Sequence, residues 1–199
     1  MGTPFSKANK EFTDKCHLLA RRLIYPKLFD VPRERLDFKD CDVGTNEKNN
    51  ILDGQMAIDR IVRINKDGFN SELEFLVQER FRKPKYSNYR DITITEWNTI
   101  TNLPSELYKL NAGLFVYGYA DNWPNPSDFI EVVVVDTARM IINIIRDDFI
   151  CGLEENPRTE QTFITIPFVL LFDAGCVVST YRRLDRNETQ TPIPMFDTG

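Results

Sequence analysis

Val77-Gln78-Glu79-Arg80-Phe81-Arg82 alternates with a period of two, which places Gln78, Arg80 and Arg82 on one face of an extended segment and Val77, Glu79 and Phe81 on the other. With Leu73 and Phe75 before it, the stretch predicts a strand. Ile51 to Ile64, carrying Met56, Ile58, Ile61, Val62 and Ile64, predicts a half-buried strand bulged near Gly54, joined to the next by a turn at Lys66-Asp67-Gly68. Ile92 and Ile94, set between threonines, predict a third strand and complete a meander.

Upstream, Ser6 is a candidate N-cap, and Phe12, Cys16, Leu19 and Leu23 recur at helical spacing. Pro26 restricts the residue before it, so this helix is expected to end near Tyr25. From there to Asn50 the chain is polar and interrupted by Pro32 and Gly44, and reads as a long loop or flap.

Downstream, Pro104 and Ser105 can open a short helix over Leu107 and Leu110. Leu114, Val116 and Tyr117 then predict a central strand, Ile130 to Val135 another, and Thr137 is expected to cap a helix whose apolar face is Met140, Ile141, Ile144 and Ile145. Phe163 to Phe172 and Val177 to Tyr181 read as a closing hairpin, and residues 186–199 as a polar tail. The fold class expected is α/β: one domain over residues 1–199, with a core of helix, three-stranded meander, helix and strand and a C-terminal strand, helix and hairpin extension.

At 199 residues with 42% hydrophobic side chains, the chain can bury a core without a staple. Its net charge of -5 argues against a surface coated in phosphate-binding cations but permits a local basic groove. Cys16, Cys41, Cys151 and Cys176 are too far apart for a thiolate zinc motif and read as buried reduced thiols. No apolar stretch is long enough to span a bilayer, and Met1 to Lys10 lacks the apolar core of a signal peptide, so a cytoplasmic location is expected. The nine glycines form neither a phosphate loop nor a dinucleotide fingerprint. His17, the one histidine, has no ligand-spaced partner and reads as structural.

Metal-assisted phosphodiester cleavage needs oxygen ligands and a positive group, and adjacent strands can present both at one edge. Asp59 interrupts an apolar segment, where a lone carboxylate is costly unless hydrogen-bonded, paired or metal-bound. Arg82, Lys83, Lys85 and Arg90, interleaved with Tyr86 and Tyr89, combine cations with stacking surfaces suited to nucleic acid, and Lys109 could add a further cation. The same residues also fit a plainer description: Asp59 and Arg80 as a cross-strand ion pair and the cations as a solvated hairpin end.

Asp59 followed by Gln78-Glu79-Arg80 on the next strand resembles the acid, then acid-x-lysine, signature of PD-(D/E)xK restriction-endonuclease-like nucleases, and the segments Tyr89 to Thr95 and Leu107 to Tyr119 resemble phage-encoded members. The resemblance covers roughly Lys10 to Asp121 and implies a Mg²⁺- or Mn²⁺-dependent nuclease acting on DNA rather than RNA. It makes Asp59 a metal ligand, puts Gln78 in the second acid position and Arg80 in the lysine position. Glu79, Glu11 or Asp53 would supply the charge that glutamine lacks, so the implied metal set is Asp59, Gln78 and Glu79. Arginine stays protonated and cannot act as a base. The resemblance also leaves open a homodimer, and, because two of its three positions depart from the pattern, a catalytically silent domain that binds nucleic acid or a protein.

Overall fold

The computed structural model describes residues 7–41, 47–65, 72–146, 148–149, 152–156 and 161–183. In chain order its elements are α1 (Lys7–Leu23), α2 (Tyr25–Phe29), β1 (Leu36–Asp40), α3 (Glu47–Met56), β2 (Arg60–Asn65), β3 (Glu72–Arg82), β4 (Asp91–Asn98), β5 (Leu103–Pro104), α4 (Glu106–Lys109), β6 (Leu114–Ala120), β7 (Phe129–Asp136), α5 (Thr137–Ile145), β8 (Gly152–Asn156), β9 (Gln161–Pro167), α6 (Phe168–Asp173) and β10 (Val177–Arg182). They build a mixed six-stranded sheet, β1-β2-β3-β6-β7-β10, and a four-stranded antiparallel sheet, β5-β4-β9-β8.

The α/β class is as expected, but the meander is built from different segments. It consists of β1, β2 and β3, all antiparallel neighbours, and β6 then lies parallel to β3. Leu36–Asp40, inside the expected loop, is the first strand of the set: Leu36 is buried while its charged neighbours face outward. Ile51–Met56 is the end of a helix, not a bulged strand, because Leu52 and Met56 pack against the core at helical spacing. The segment around Ile92 and Ile94 leaves the meander for the second sheet, redirected by a 3-10 turn at Pro84–Tyr89 and a left-handed Arg90 (φ 47°).

The closing hairpin is likewise replaced. Pro167 ends β9, and Phe168 and Leu171 become the buried face of α6 with Val169 and Phe172 outside. β10 pairs with β7 rather than with β9. Asp136, not Thr137, caps α5, its carboxylate accepting from the Arg139 amide at 3.0 Å. Pro26 does stop α1, and it also opens α2. Ser6, Lys66-Asp67-Gly68, Cys151 and the tail 186–199 lie outside the described residues; Cys16, Cys41 and Cys176 are buried free thiols.

The six-stranded sheet is covered on both faces, and the period of two decides which residue goes where. Val77, Val116, Val132 and Val134 pack under α1 and α2 with Phe12, Cys16 and Leu19. Phe115, Tyr117, Tyr119, Val133 and Val135 point the other way, onto Ile92 and Ile94 of β4, Ile164 and Ile166 of β9, and helices α5 and α6. Gly118 is needed on the helix side, since a Cβ there would stand 2.8 Å from the Val132 side chain. No described helix is long and apolar enough to cross a membrane.

A cleft at the open edge of the third strand

β2 ends at Arg60, opposite Val77, so beyond that point β3 has a strand neighbour, β6, on one side only. A cleft of about 510 Å³ wraps this edge, its lining including His17 of α1, Asp59, Gln78, Glu79, Arg80 and Arg82, and Thr93, Gln161 and Phe163 of the second sheet. The expected Asp59, Gln78 and Arg80 therefore meet in one space.

Asp59 is delivered there by its backbone. α3 closes through Ala57 in the left-handed region (φ 48°), and Asp59 then extends β2 by one residue, donating to the Val77 carbonyl at 3.0 Å and receiving the Cys41 amide at 2.9 Å. Its carboxylate takes the Glu79 amide at 2.8 Å, a donor that β2 no longer reaches. Burial pushes the Asp59 carboxyl up from 3.8 to about 7; the Glu79 amide opposes the shift and the Glu79 charge adds to it.

Gln78 and Arg80 share the face turned to the second sheet, as their alternation requires. Gln78 is 8% exposed; its Nε2 donates to Glu106 Oε1 at 3.2 Å, while its Oε1 has no hydrogen-bond partner. That assignment sets the amide's donor, rather than a second acceptor, against the Glu106 oxygen. Arg80 donates to the Thr93 carbonyl at 2.8 Å and pairs with Glu106, and Arg82 donates to Thr93 Oγ1 at 2.6 Å and to the Tyr117 hydroxyl at 3.1 Å.

Glu79 goes to the other face and is sealed. Its carboxylate, with no exposed surface, receives His17 Nδ1 at 2.5 Å, Arg60 Nε at 3.0 Å and the Tyr25 hydroxyl. Arg60 in turn pairs with Asp40, which also holds Arg21. Burial would raise the Glu79 carboxyl, but the bond from His17 and the charge of Arg60 outweigh it and hold it at about 2. Glu79 is thus held low and engaged by three donors, while it also belongs to the lining of the cleft with Asp59 and Gln78. The plain Asp59–Arg80 ion pair is also absent among the described contacts; Asp59 is bonded to backbone and Arg80 to Glu106.

The basic and aromatic segment is largely turned onto the protein itself. Arg90 forms a bidentate pair with Glu131 at 2.9 and 2.8 Å. Arg82 stacks 4.3 Å from the Tyr86 ring centre, Lys83 sits 3.5 Å over Trp123, and Lys85 lies 4.8 Å over Tyr86. Lys109 reaches the Gly54 carbonyl at 3.5 Å. Of these expected nucleic-acid contacts only Arg82 lines the cleft; Lys85 and Lys109 are exposed beyond it.

No family model matches the chain, and neither curated proteins nor solved structures provide a match. The geometry therefore stands by itself. Among the described residues no three His, Cys, Asp or Glu side chains cluster at metal-ligand spacing. Among the oxygen-bearing residues that line the cleft are Asp59 and Gln78, whose carboxylate and amide are hard donors of the kind Mg²⁺ and Mn²⁺ accept when substrate oxygens and water complete the shell. Glu106 and His17 were missed in the sequence reading. Glu106 meets Gln78 and Arg80 only through the packing of α4 against β4, which no local pattern encodes. His17 adjoins the buried stripe of α1, and its partner Glu79 lies 62 residues away.

Proposed function

We propose that this chain is a divalent-cation-assisted phosphodiesterase acting on nucleic acid, with DNA as the expected substrate, built on a PD-(D/E)xK-like core. Support for the core comes from the order of helix α1, antiparallel β1, β2 and β3, and β6 parallel to β3, with Asp59 leading into β2 and Gln78 and Arg80 on β3. The observation that carries the reading is the unpartnered, buried Oε1 of Gln78, a residue that lines the cleft together with Asp59. A buried carbonyl-type oxygen without a donor costs about 1–3 kcal/mol, and a cation or an attached water would relieve that cost.

Asp59 and Gln78 would hold the ion. When bound, Mg²⁺ or Mn²⁺ supplies positive charge against the phosphoryl oxygens and acidifies water. Arg80, kept in place by Glu106 and the Thr93 carbonyl, adds a fixed cation along the same wall and cannot serve as a base. Arg82 lines the same cleft and adds a second cation. Lys83, Lys85 and Lys109, at or beyond the rim, would meet the flanking phosphates.

Plasmid and single-stranded DNA incubated with Mg²⁺ or Mn²⁺ should be cut by the wild type and at least about 100-fold more slowly by Asp59→Asn. Equal cutting by both would remove Asp59 from the chemistry.

A second reading, a silent domain of the same kind that binds nucleic acid, is favoured by the capture of Arg80 by Glu106 and by the sealing of Glu79. It expects salt-dependent DNA binding in chelator, no cutting with either metal, and loss of binding in a Lys83→Ala, Lys85→Ala double variant.

A further inference from the structure

The cleft contains a second chemical group that the proposed function does not use. His17 lines it together with Asp59, Gln78 and Arg80, its side chain 19% exposed. Its Nδ1 is held at 2.5 Å by Glu79, and its ring packs edge-on against Phe81 with centroids 5.7 Å apart. Glu79 is in turn fixed by Tyr25 and Arg60, so the imidazole is held by an immobilised carboxylate. Among the described residues Nε2 has no protein partner.

A buried carboxylate at Nδ1 fixes the tautomer: Nδ1 keeps its hydrogen, and Nε2 is the atom through which a proton can be exchanged. We propose that His17, oriented by Glu79, is the proton donor of this cleft and delivers the Nε2 hydrogen to the oxygen that leaves phosphorus. This rests on the phosphodiesterase reading above. In the step, a water oxygen forms the new bond to phosphorus and releases one proton to solvent, the ester P–O bond breaks with its electron pair on the departing oxygen, and that oxygen takes the proton from Nε2. His17 is then reprotonated from solvent, and no redox partner is required.

The charged groups that act on the ring are Glu79 of β3, Arg60 of β2 and Asp59, with Tyr25 of α2 bonded to the other oxygen of Glu79. Burial would lower the imidazole, but the bond to Glu79 and its charge outweigh that, with Arg60 opposing and Asp59 adding, so the net displacement is upward from 6.5.

The test compares two diesters in the full-length protein: an oligodeoxynucleotide, whose leaving alkoxide needs a proton, and bis(4-nitrophenyl) phosphate, whose phenolate does not. His17→Asn is the variant of choice because its amide nitrogen can still donate to Glu79 while nothing replaces Nε2; His17→Gln, which keeps a group near Nε2, is the companion. Thermal melts check that both fold. Oligonucleotide cleavage by His17→Asn should fall by about 10²-fold or more, while hydrolysis of the nitrophenyl ester should change by less than about 3-fold. The alkaline limb of the wild-type pH profile should vanish for the oligonucleotide alone. Equal loss on both esters, or no loss on either, overturns the role of His17. If the wild type hydrolyses neither ester, the phosphodiesterase reading fails and the role of His17 falls with it. A single ring signal makes that case separable, since His17 is the one histidine in 199 residues: its Cε1–H resonance should still shift on addition of thymidine monophosphate if the cleft binds phosphate.

Discussion

On the helix-facing side of β3, Glu79 has its carboxylate enclosed by His17, Tyr25 and Arg60, and a line of opposite charges continues through Asp40 to Arg21. On the sheet-facing side, one residue away, Gln78 is nearly as buried, yet leaves a buried oxygen without a partner, and it lines the cleft beside Arg80. Neighbouring positions on one strand thus follow opposite rules. The Glu79 carboxylate, bonded by His17 of α1 and Tyr25 of α2, specifies how the two helices seat on the sheet. The unmatched oxygen of Gln78 is the group that the proposed cation would satisfy. Asp59 sits between the two faces at the strand edge, and its carboxyl, raised to about 7, stands against that of Glu79, held at about 2.

The sharpest way to break the contrast is at Glu79. Glu79→Ala leaves Arg60 and His17 without their buried counter-charge and should cost about 3–5 kcal/mol in urea unfolding. The pH dependence carries the same information: the folded Glu79 carboxyl lies below its ordinary 4.5, so its stabilisation is present above 4.5 and is lost as pH falls towards 2. Glu79→Gln should flatten that acid limb; a variant as stable as the wild type at pH 6 would mean that the network does not hold the helices.

Asp59 should respond in the opposite sense. Its folded pKa is raised from 3.8 to about 7, so the folded state is favoured below 3.8 and penalised as pH rises through 7. Asp59→Asn is therefore expected to raise stability at pH 8 by an amount on the order of 2–4 kcal/mol, and to change little at pH 4. Paired with lost cleavage, this would identify a residue kept at the expense of the fold. Destabilisation at pH 8 would place Asp59 with the structural group instead.

Gln78→Leu should move stability by no more than about 1 kcal/mol, because an unmatched oxygen disappears along with one hydrogen bond to Glu106. The smallest effects belong to the rim. Lys83→Ala and Lys85→Ala should each change stability by less than about 1 kcal/mol, the scale of their ring contacts, and each should reduce the salt slope of DNA binding by about 1. An unchanged slope would remove these lysines from the interface.

Period-two alternation was enough to separate Gln78 and Arg80 from Glu79, and it located β6 and β7 because their valines and aromatics are covered on both faces. Helix α1 was legible for the matching reason, a stripe at Phe12, Cys16 and Leu19. β1 was not, since Leu36–Asp40 is mostly charged and is a strand only through its pairing with β2. Ile51–Met56 misled because Gly54 suits a bulge as well as a weak helix, and Phe168–Asp173 because its apolar run has no polar break; tertiary packing chose the helix in each. The site was half readable. Asp59, Gln78 and Arg80 follow from local pattern, whereas Glu106 and the Glu79–His17 pairing depend on contacts across the sheet faces.

Calorimetric titration with Mn²⁺ at pH 7.5 tests the central claim most directly, using wild type, Asp59→Asn and Gln78→Leu. One site is expected in the wild type, strengthened by thymidine dinucleotide, lost in Asp59→Asn and weakened in Gln78→Leu. Identical binding in all three proteins, or no binding to the wild type even with the dinucleotide present, would contradict a cation held by Asp59 and Gln78.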